Sequence, residues 1–264
     1  MRTPATSVKR AVLLAGVLLC VSTLQADEVR VMTAGAFAST YLELVSPFER
    51  ATKHRVVTDA TSTGIGQDSI PSRLRRGEPA DVVILGDAAL DELIKEGRIL
   101  AGSRVALARS AIGMAVRAGA AKPDISSVDA LKRALLQAKS IAYSAQASGV
   151  YLSTELFHRL GIADQLTAKS QRIERERVGA VVARGEAEIG FQQISELLPV
   201  AGIDYVGPLP AEVQRITVFS AGVAAGAKSP EAARALIRFF MSPEAARVMT
   251  KSGLEPMTPG ISPR

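Results

Sequence analysis

The sequence predicts an α/β protein of two Rossmann-like lobes joined by a two-strand hinge, and three features carry that expectation. Short β-branched and aliphatic runs alternate with helical stripes from Val29 to about Leu100, the order of a parallel sheet flanked by helices. One layout occurs twice: Leu74 before Arg76-Gly77-Glu78, and Val178, Val181 and Val182 before Arg184-Gly185-Glu186, each followed by an apolar strand. Two extended segments, near residues 105–117 and 215–224, read as crossings between the lobes.

Taken in order, Val29–Met32 is the first strand, and Tyr41, Leu44, Val45 and Phe48 form the stripe of the helix after it. The small residues of Thr33–Ser39 leave backbone amides open at that helix start, an arrangement suited to an anion. In Arg76–Leu85, RGEPADVVIL, the run Ala80–Leu85 is bounded by Pro79 and Gly86 and suits a strand buried on both faces. Asp87 is placed to cap a helix carrying Leu90, Leu93 and Ile94, with Gly97 as its stop. Ile112–Val116 leads into a second unit with a helix over Val128–Leu136, a strand over Ser140–Tyr143 and a helix from about Ser148 to Gly161. Ala187–Phe191 is its last buried strand, with the amides Gln192 and Gln193 expected in the loop that follows. Ile216–Val223 returns as a strand, and Ser229-Pro230-Glu231 and Ser242-Pro243-Glu244 each start a helix with Ser at N-cap and Pro at N1. Residues 27–105 and 218–264 are assigned to lobe 1 and 106–217 to lobe 2, with a ligand cleft between them.

Residues 1–26 read as a secretory leader: Arg2, Lys9 and Arg10 in front, an apolar core over Ala11–Val21, and Ala26 before the cut. The core is too short to span a bilayer. Cys20 is the only cysteine, and bulky Leu19 before it argues against a lipid anchor. Without the leader the chain holds no thiol, hence no disulfide, cysteine nucleophile or thiolate metal site. Removing the leader takes three of the 32 basic residues and none of the 26 acidic ones, leaving an excess of +3. That mild excess favours small anions, and no basic cluster alternates with aromatics, so nucleic acid is not an expected partner. The lack of tryptophan and an aromatic content of 4% argue against a sugar site built on stacked rings. No GxSxG elbow, P-loop or dinucleotide fingerprint is present, and Gly64-Ile65-Gly66 alone is too short to mean phosphate binding. The two histidines, His54 and His158, read as surface or packing residues, and neither a metal nor a cofactor is expected.

The order of these pieces, with RGEPADVVIL after the strand and turn of Val29–Tyr41, resembles the molybdate-binding branch of the type II periplasmic binding proteins. The resemblance implies a periplasmic, monomeric scaffold whose ligand is held by Thr33–Ser39, Asp59–Gly66, Tyr143–Tyr151, and Arg175–Gly179 with Phe191–Ser195. The family's pattern breaks at two contacts: Ala36 stands where a serine is expected, and Gln193 where a tyrosine is. The strings SIPSRLRRGEPADVVIL, YSAQASGVY and GEAEIGFQQISELLPV are more similar to the aconitate isomerase members of this fold. That similarity implies a tricarboxylate ligand, aconitate or citrate, and a 1,3-allylic proton shift between cis- and trans-aconitate. The alternative is a substrate-binding protein that delivers an oxyanion or polycarboxylate to an ABC permease.

The ligand-binding set is Thr33, Phe37, Ser62, Thr63, Arg73, Ser144, Ser148, Arg177, Gln192 and Gln193, with Arg175 as a further cation. Arg73 also fits a solvated helix face in Arg73-Leu74-Arg75-Arg76, and the run Glu174–Arg177 also fits mutual ion pairs. Tyr151 and Tyr143 are the candidates for proton transfer, ahead of the carboxylates Asp87 and Glu176; interlobe packing is the competing role for both tyrosines. Tyr151 is preferred because it begins a helix, where amide dipoles lower a phenol's pKa.

Overall fold

The computed structural model describes residues 26–257 except Thr61 and Thr63, so the expected leader up to residue 25 lies outside the described residues. In chain order the first sheet opens with β1 (Glu28–Thr33), α1 (Gly35–Thr52), β2 (Arg55–Ala60), α2 (Ile70–Arg75), β3 (Val82–Gly86), α3 (Asp87–Lys95) and β4 (Val105–Ser110). The second begins with β5 (Ile112–Arg117), α4 (Val128–Gln137), β6 (Ile141–Ser144), α5 (Ala147–Tyr151) and α6 (Phe157–Arg159), the last two joined by a π-helical turn. It continues with α7 (Ala163–Thr167), β7 (Ser170–Ile173), α8 (Val178–Ala183), β8 (Ile189–Gln193), α9 (Ile194–Leu197) and β9 (Ile203–Pro208). The chain then returns to the first sheet through β10 (Thr217–Val223), α10 (Pro230–Phe240), α11 (Pro243–Lys251) and the short β11 (Glu255–Pro256). Among the described residues no helix is long and apolar enough to cross a membrane.

The first sheet runs β11-β4-β10-β3-β1-β2 and the second β7-β6-β8-β5-β9. Within each, three strands are parallel: β2, β1 and β3 in one, β7, β6 and β8 in the other. The strands that carry the crossings run against them, β10 beside β3 and β5 beside β8. This places the carboxyl ends of all six parallel strands on the hinge side.

Burial explains the central strands. Val82–Leu85 is fully buried between β1 and β10, as a β-branched run without polar alternation requires. The expected lobe boundary at residue 105 moves to Ala111, because Val105–Ser110 forms a ladder with β10, Thr217 opposite Ser110. Gln192 and Gln193 are likewise not a loop: they pair with Gly113 and Ile112 as the last residues of β8. Hydrogen-bonding amides extend a strand as readily as apolar residues once a partner strand is present, and the apolar pattern alone cannot register that.

The closing helix α10 seals the first core by edge-to-face contacts, Phe240 on Phe37 at 5.7 Å and Phe239 on Phe48 at 5.7 Å. Its start is held differently from expectation. Ser242 does cap α11 through the Ala245 amide, but the Ser229 side chain makes no cap on α10. The buried Asp81 carboxylate takes that place, accepting from the amides of Lys228 at 2.6 Å, Ser229 at 3.1 Å and, from β1, Arg30 at 2.8 Å. In the second lobe, Gly149 lets α5 lie against the end of β6: a Cβ there would stand 1.6 Å from the Ser144 carbonyl oxygen.

Asp81→Ala strips three amides of a charged acceptor inside the fold. It should lower the unfolding free energy by about 3 kcal/mol, read as a shift of the urea midpoint. A loss below about 0.5 kcal/mol, the range of ordinary surface substitutions, would mean that the amides find other partners.

Candidate active site between the lobes

Helix starts in this molecule differ in their caps. The starts of α2, α4 and α11 are capped by the side chains of Ser69, Ser127 and Ser242, whereas those of α7 and α10 have no cap from their own N-cap side chain. At the carboxyl ends of the parallel strands, α1, α3, α5, α8 and α9 begin at Ala34, Gly86, Gln146, Arg177 and Gln193, none of which caps its own helix. The first amides of a helix have no intrahelical acceptor. The strand ends thus gather backbone donors on the hinge side, the position where ligands enter open α/β sheets.

Side chains on these turns are also left open. The buried hydroxyls of Ser110, Ser148 and Ser195 and the Gln193 Oε1 have no hydrogen-bond partner among the described residues. The two lobes meet around them. Gln146 Nε2 donates to the Gly64 carbonyl at 2.9 Å, Gln193 Nε2 to Thr217 Oγ1 at 3.0 Å, and Arg177 Nη2 approaches Ser39 Oγ at 3.5 Å. Gln192 Oε1 accepts from the Val178 amide at 2.9 Å and so supplies the cap that α8 lacks. A separate groove of about 660 Å³ beside β9 is lined by none of the orphaned groups.

One acidic group stands out. Glu196, on α9, is only 9% exposed, and among the described residues it makes no ion pair within 4.0 Å. Burial pushes its carboxyl up to about 7, partly offset by the Arg177 charge and the Gln192 amide. Sequence reasoning missed it. The one available signal was an acid between apolar neighbours in Ile194-Ser195-Glu196-Leu197-Leu198, directly after two amides. Among the described residues no group of three or more His, Cys, Asp or Glu could hold a metal ion.

The expected residues separate accordingly. Ser148, Arg177, Gln192 and Gln193 sit at the strand ends as described, and Ser144 is buried there with its hydroxyl accepting the Gln146 amide at 3.1 Å. Thr33 is fully buried at the end of β1, with Oγ1 3.3 Å from the Ala34 carbonyl. Ser62 is exposed and accepts from the Gly64 amide, and Thr63 lies outside the described residues. Phe37 is a correction: its ring is fully buried against Phe240 in the first core, because the third residue of α1 faces inward. Arg73 is another: its Nε is held by Glu78 at 2.7 Å and Nη1 lies 3.4 Å from the Asp59 carbonyl.

Both tyrosines are packing residues in this structure. The Tyr151 hydroxyl donates to the Val213 carbonyl at 2.7 Å, its ring is 4% exposed, and Arg215 covers one face at 4.4 Å. Its helix does start at the cleft, but one turn in, the side chain has rotated into the second core. Tyr143 is half-buried with its ring edge-to-face on Phe157 at 6.1 Å. Arg175 is exposed, Glu176 pairs with Arg184, and Asp87, the first residue of α3, pairs with Arg104 and accepts from Ser220.

The model of the bacterial extracellular solute-binding protein family matches residues 29–255. An aconitate isomerase from a Pseudomonas species is 47% identical over 228 residues, 86% of this chain and 87% of that protein. The molybdate-binding protein ModA of Azotobacter vinelandii is 29% identical over 250 residues, 90% of this chain and 93% of that protein. The solved periplasmic molybdate-binding protein of Azotobacter vinelandii superposes with a TM-score of 0.71 at 23% identity, covering 89% of this chain and 100% of that one. With two hinged α/β lobes, strand ends converging on the hinge and a family match across both sheets, this chain belongs to the bacterial extracellular solute-binding proteins, in their molybdate-binding-like, type II periplasmic group.

Proposed function

We propose that this protein is an aconitate isomerase, interconverting cis- and trans-aconitate by a 1,3-allylic proton shift on a solute-binding scaffold. The observation that carries this reading is the 47% identity to an aconitate isomerase across most of both chains, against 29% to a molybdate-binding protein. The chemistry of the cleft fits it. A tricarboxylate brings three anionic groups, and the uncapped helix starts, the Ser148 and Ser195 hydroxyls and the Arg177 guanidinium provide donors from several directions. The reaction removes a proton from a methylene beside a carboxylate and returns one to the far end of the allyl unit. It needs donors aimed at the enolate that develops on that carboxylate, and a clamp that keeps the substrate from turning. The leader expected at the N-terminus would deliver the enzyme to the periplasm.

The second reading, an oxyanion receptor serving an ABC permease, is favoured by the family match and by the orphaned serine hydroxyls. Against molybdate stand Ala36 and Gln193 at two expected contacts, and a buried carboxylate, Glu196, near the site.

Purified protein incubated with trans-aconitate should yield cis-aconitate, followed by chromatography; no product at micromolar enzyme would sink the isomerase reading. In thermal denaturation, cis- and trans-aconitate and citrate should raise the midpoint more than molybdate, tungstate or sulfate, since stabilisation follows occupancy of the folded state. A dominant shift from micromolar molybdate would favour the receptor. Tyr151→Phe removes a hydroxyl committed to Val213. It should cost about 1 kcal/mol of stability and leave turnover within a few-fold, whereas a hundredfold loss would return the phenol to the reaction.

A further inference from the structure

We infer that Glu196 is the catalytic carboxylate of this cleft, taking a proton from the substrate's methylene carbon and delivering one to the other end of the allyl unit. The inference rests on the isomerase reading above and adds to it the one group that reading left unnamed.

Position is the first argument. Glu196 lies on α9, which starts directly from the last residue of β8 and whose neighbours bind both lobes. The Ile194 amide donates to the hinge carbonyl of Ala111 at 3.0 Å, Gln193 reaches Thr217 on β10, and Ile194 and Leu198 pack against Gly253 of the first lobe. The carboxylate is therefore held on the seam between the lobes, beside Ser195 with its unpartnered hydroxyl. Arg177, which faces Glu196 from the start of α8, extends toward Ser39 on α1.

Cost is the second argument. A carboxylate taken out of water without a full set of donors is expensive, and folds avoid it unless it is used. Asp81 shows how this chain buries an acid for structure: three backbone amides surround it. Glu196 has no such set, and its elevated pKa, about 7, leaves it able both to accept and to release a proton near neutrality. The other candidate acid–base groups are committed elsewhere: Tyr151 to Val213, Asp87 to Arg104, and Glu176 to Arg184.

The step balances with no further reactant. Glu196 as carboxylate takes the proton; the C–H electron pair enters the allyl system as an enolate of the adjacent carboxylate. The double bond moves by one carbon, and the Glu196 carboxyl, its proton exchangeable with solvent between the two halves of the step, delivers a proton that closes a new C–H bond at the far carbon. Nothing is oxidised or reduced. One side chain suffices because the two carbons flank a single shared atom.

The test uses full-length wild type, Glu196→Gln and Glu196→Asp with trans-aconitate in D2O. Two signals are read: formation of cis-aconitate, and deuterium entering the substrate's methylene, while binding is followed by calorimetry. Glu196→Gln keeps the shape and should bind aconitate within several-fold of wild type. Both chemical signals should fall at least about a hundredfold, the usual contribution of a positioned acid–base group. Glu196→Asp, with the carboxylate drawn back by one methylene, should keep binding with turnover cut at least about tenfold; it carries the test if Glu196→Gln does not fold. Turnover or deuterium uptake near wild type in either variant overturns the assignment while leaving the isomerase reading intact. Loss of binding together with turnover also overturns it, by making Glu196 a residue that shapes the site. An inactive wild type overturns both readings.

Discussion

The hinge side of this protein is governed by the need to satisfy backbone amides. Two antiparallel crossings, β4 into β5 and β9 into β10, turn the carboxyl ends of all six parallel strands toward one seam. Every helix that follows such a strand starts there, and each start presents amides that no helical carbonyl can reach. Serine side chains cap α2, which follows β2, and also α4 and α11. The other five helices that follow parallel strands begin at alanine, glycine, arginine or glutamine. Apart from the amides of Val178 and Ile194, taken by Gln192 and the Ala111 carbonyl, these starts leave backbone donors available to an anion that arrives from outside.

Two buried acids show how differently the same chemistry is used. Asp81 is surrounded by amides from β1 and the approach to α10, so its charge is matched and it serves as a fastener of the first lobe. Glu196 is nearly as buried but has only Gln192 and a neighbouring Arg177 to offset its desolvation. Gln192 is itself divided, with its oxygen on the Val178 amide. The arrangement couples α8, β8 and α9 in one cluster, and Arg177 carries that cluster to α1 of the opposite lobe.

Much of the architecture was legible. The run Ala80–Leu85 suited a buried strand, the paired Ser-Pro-Glu signals marked the two closing helices, and the doubled Arg-Gly-Glu layout pointed to two similar lobes. What failed was azimuth. Helical residues turn by about 100° each, so a position at a helix start does not say which way the side chain looks. Phe37, the third residue of α1, went to the core, and Tyr151, one turn into α5, went to Val213. The lobe boundary shifted because the ladder of β4 with β10 depends on a partner more than a hundred residues away. Glu196 stayed hidden because an acid in the first turn of a helix usually answers the amide dipole at the surface.

The difference between a receptor and an isomerase on this scaffold comes down to one kind of residue. Both need open amides, neutral hydroxyls and a cleft that closes on an anion. For binding alone, a carboxylate buried on the seam works against the ligand: it adds negative charge beside an anionic guest and carries its own desolvation cost. Removing it would improve a receptor. A proton shift reverses that sign, since the reaction cannot start without a base that is kept from water and poised near neutral pH. The presence of Glu196 where binding would exclude it, beside the Arg177 that offsets its charge, is the feature of this cleft that binding by itself leaves unexplained.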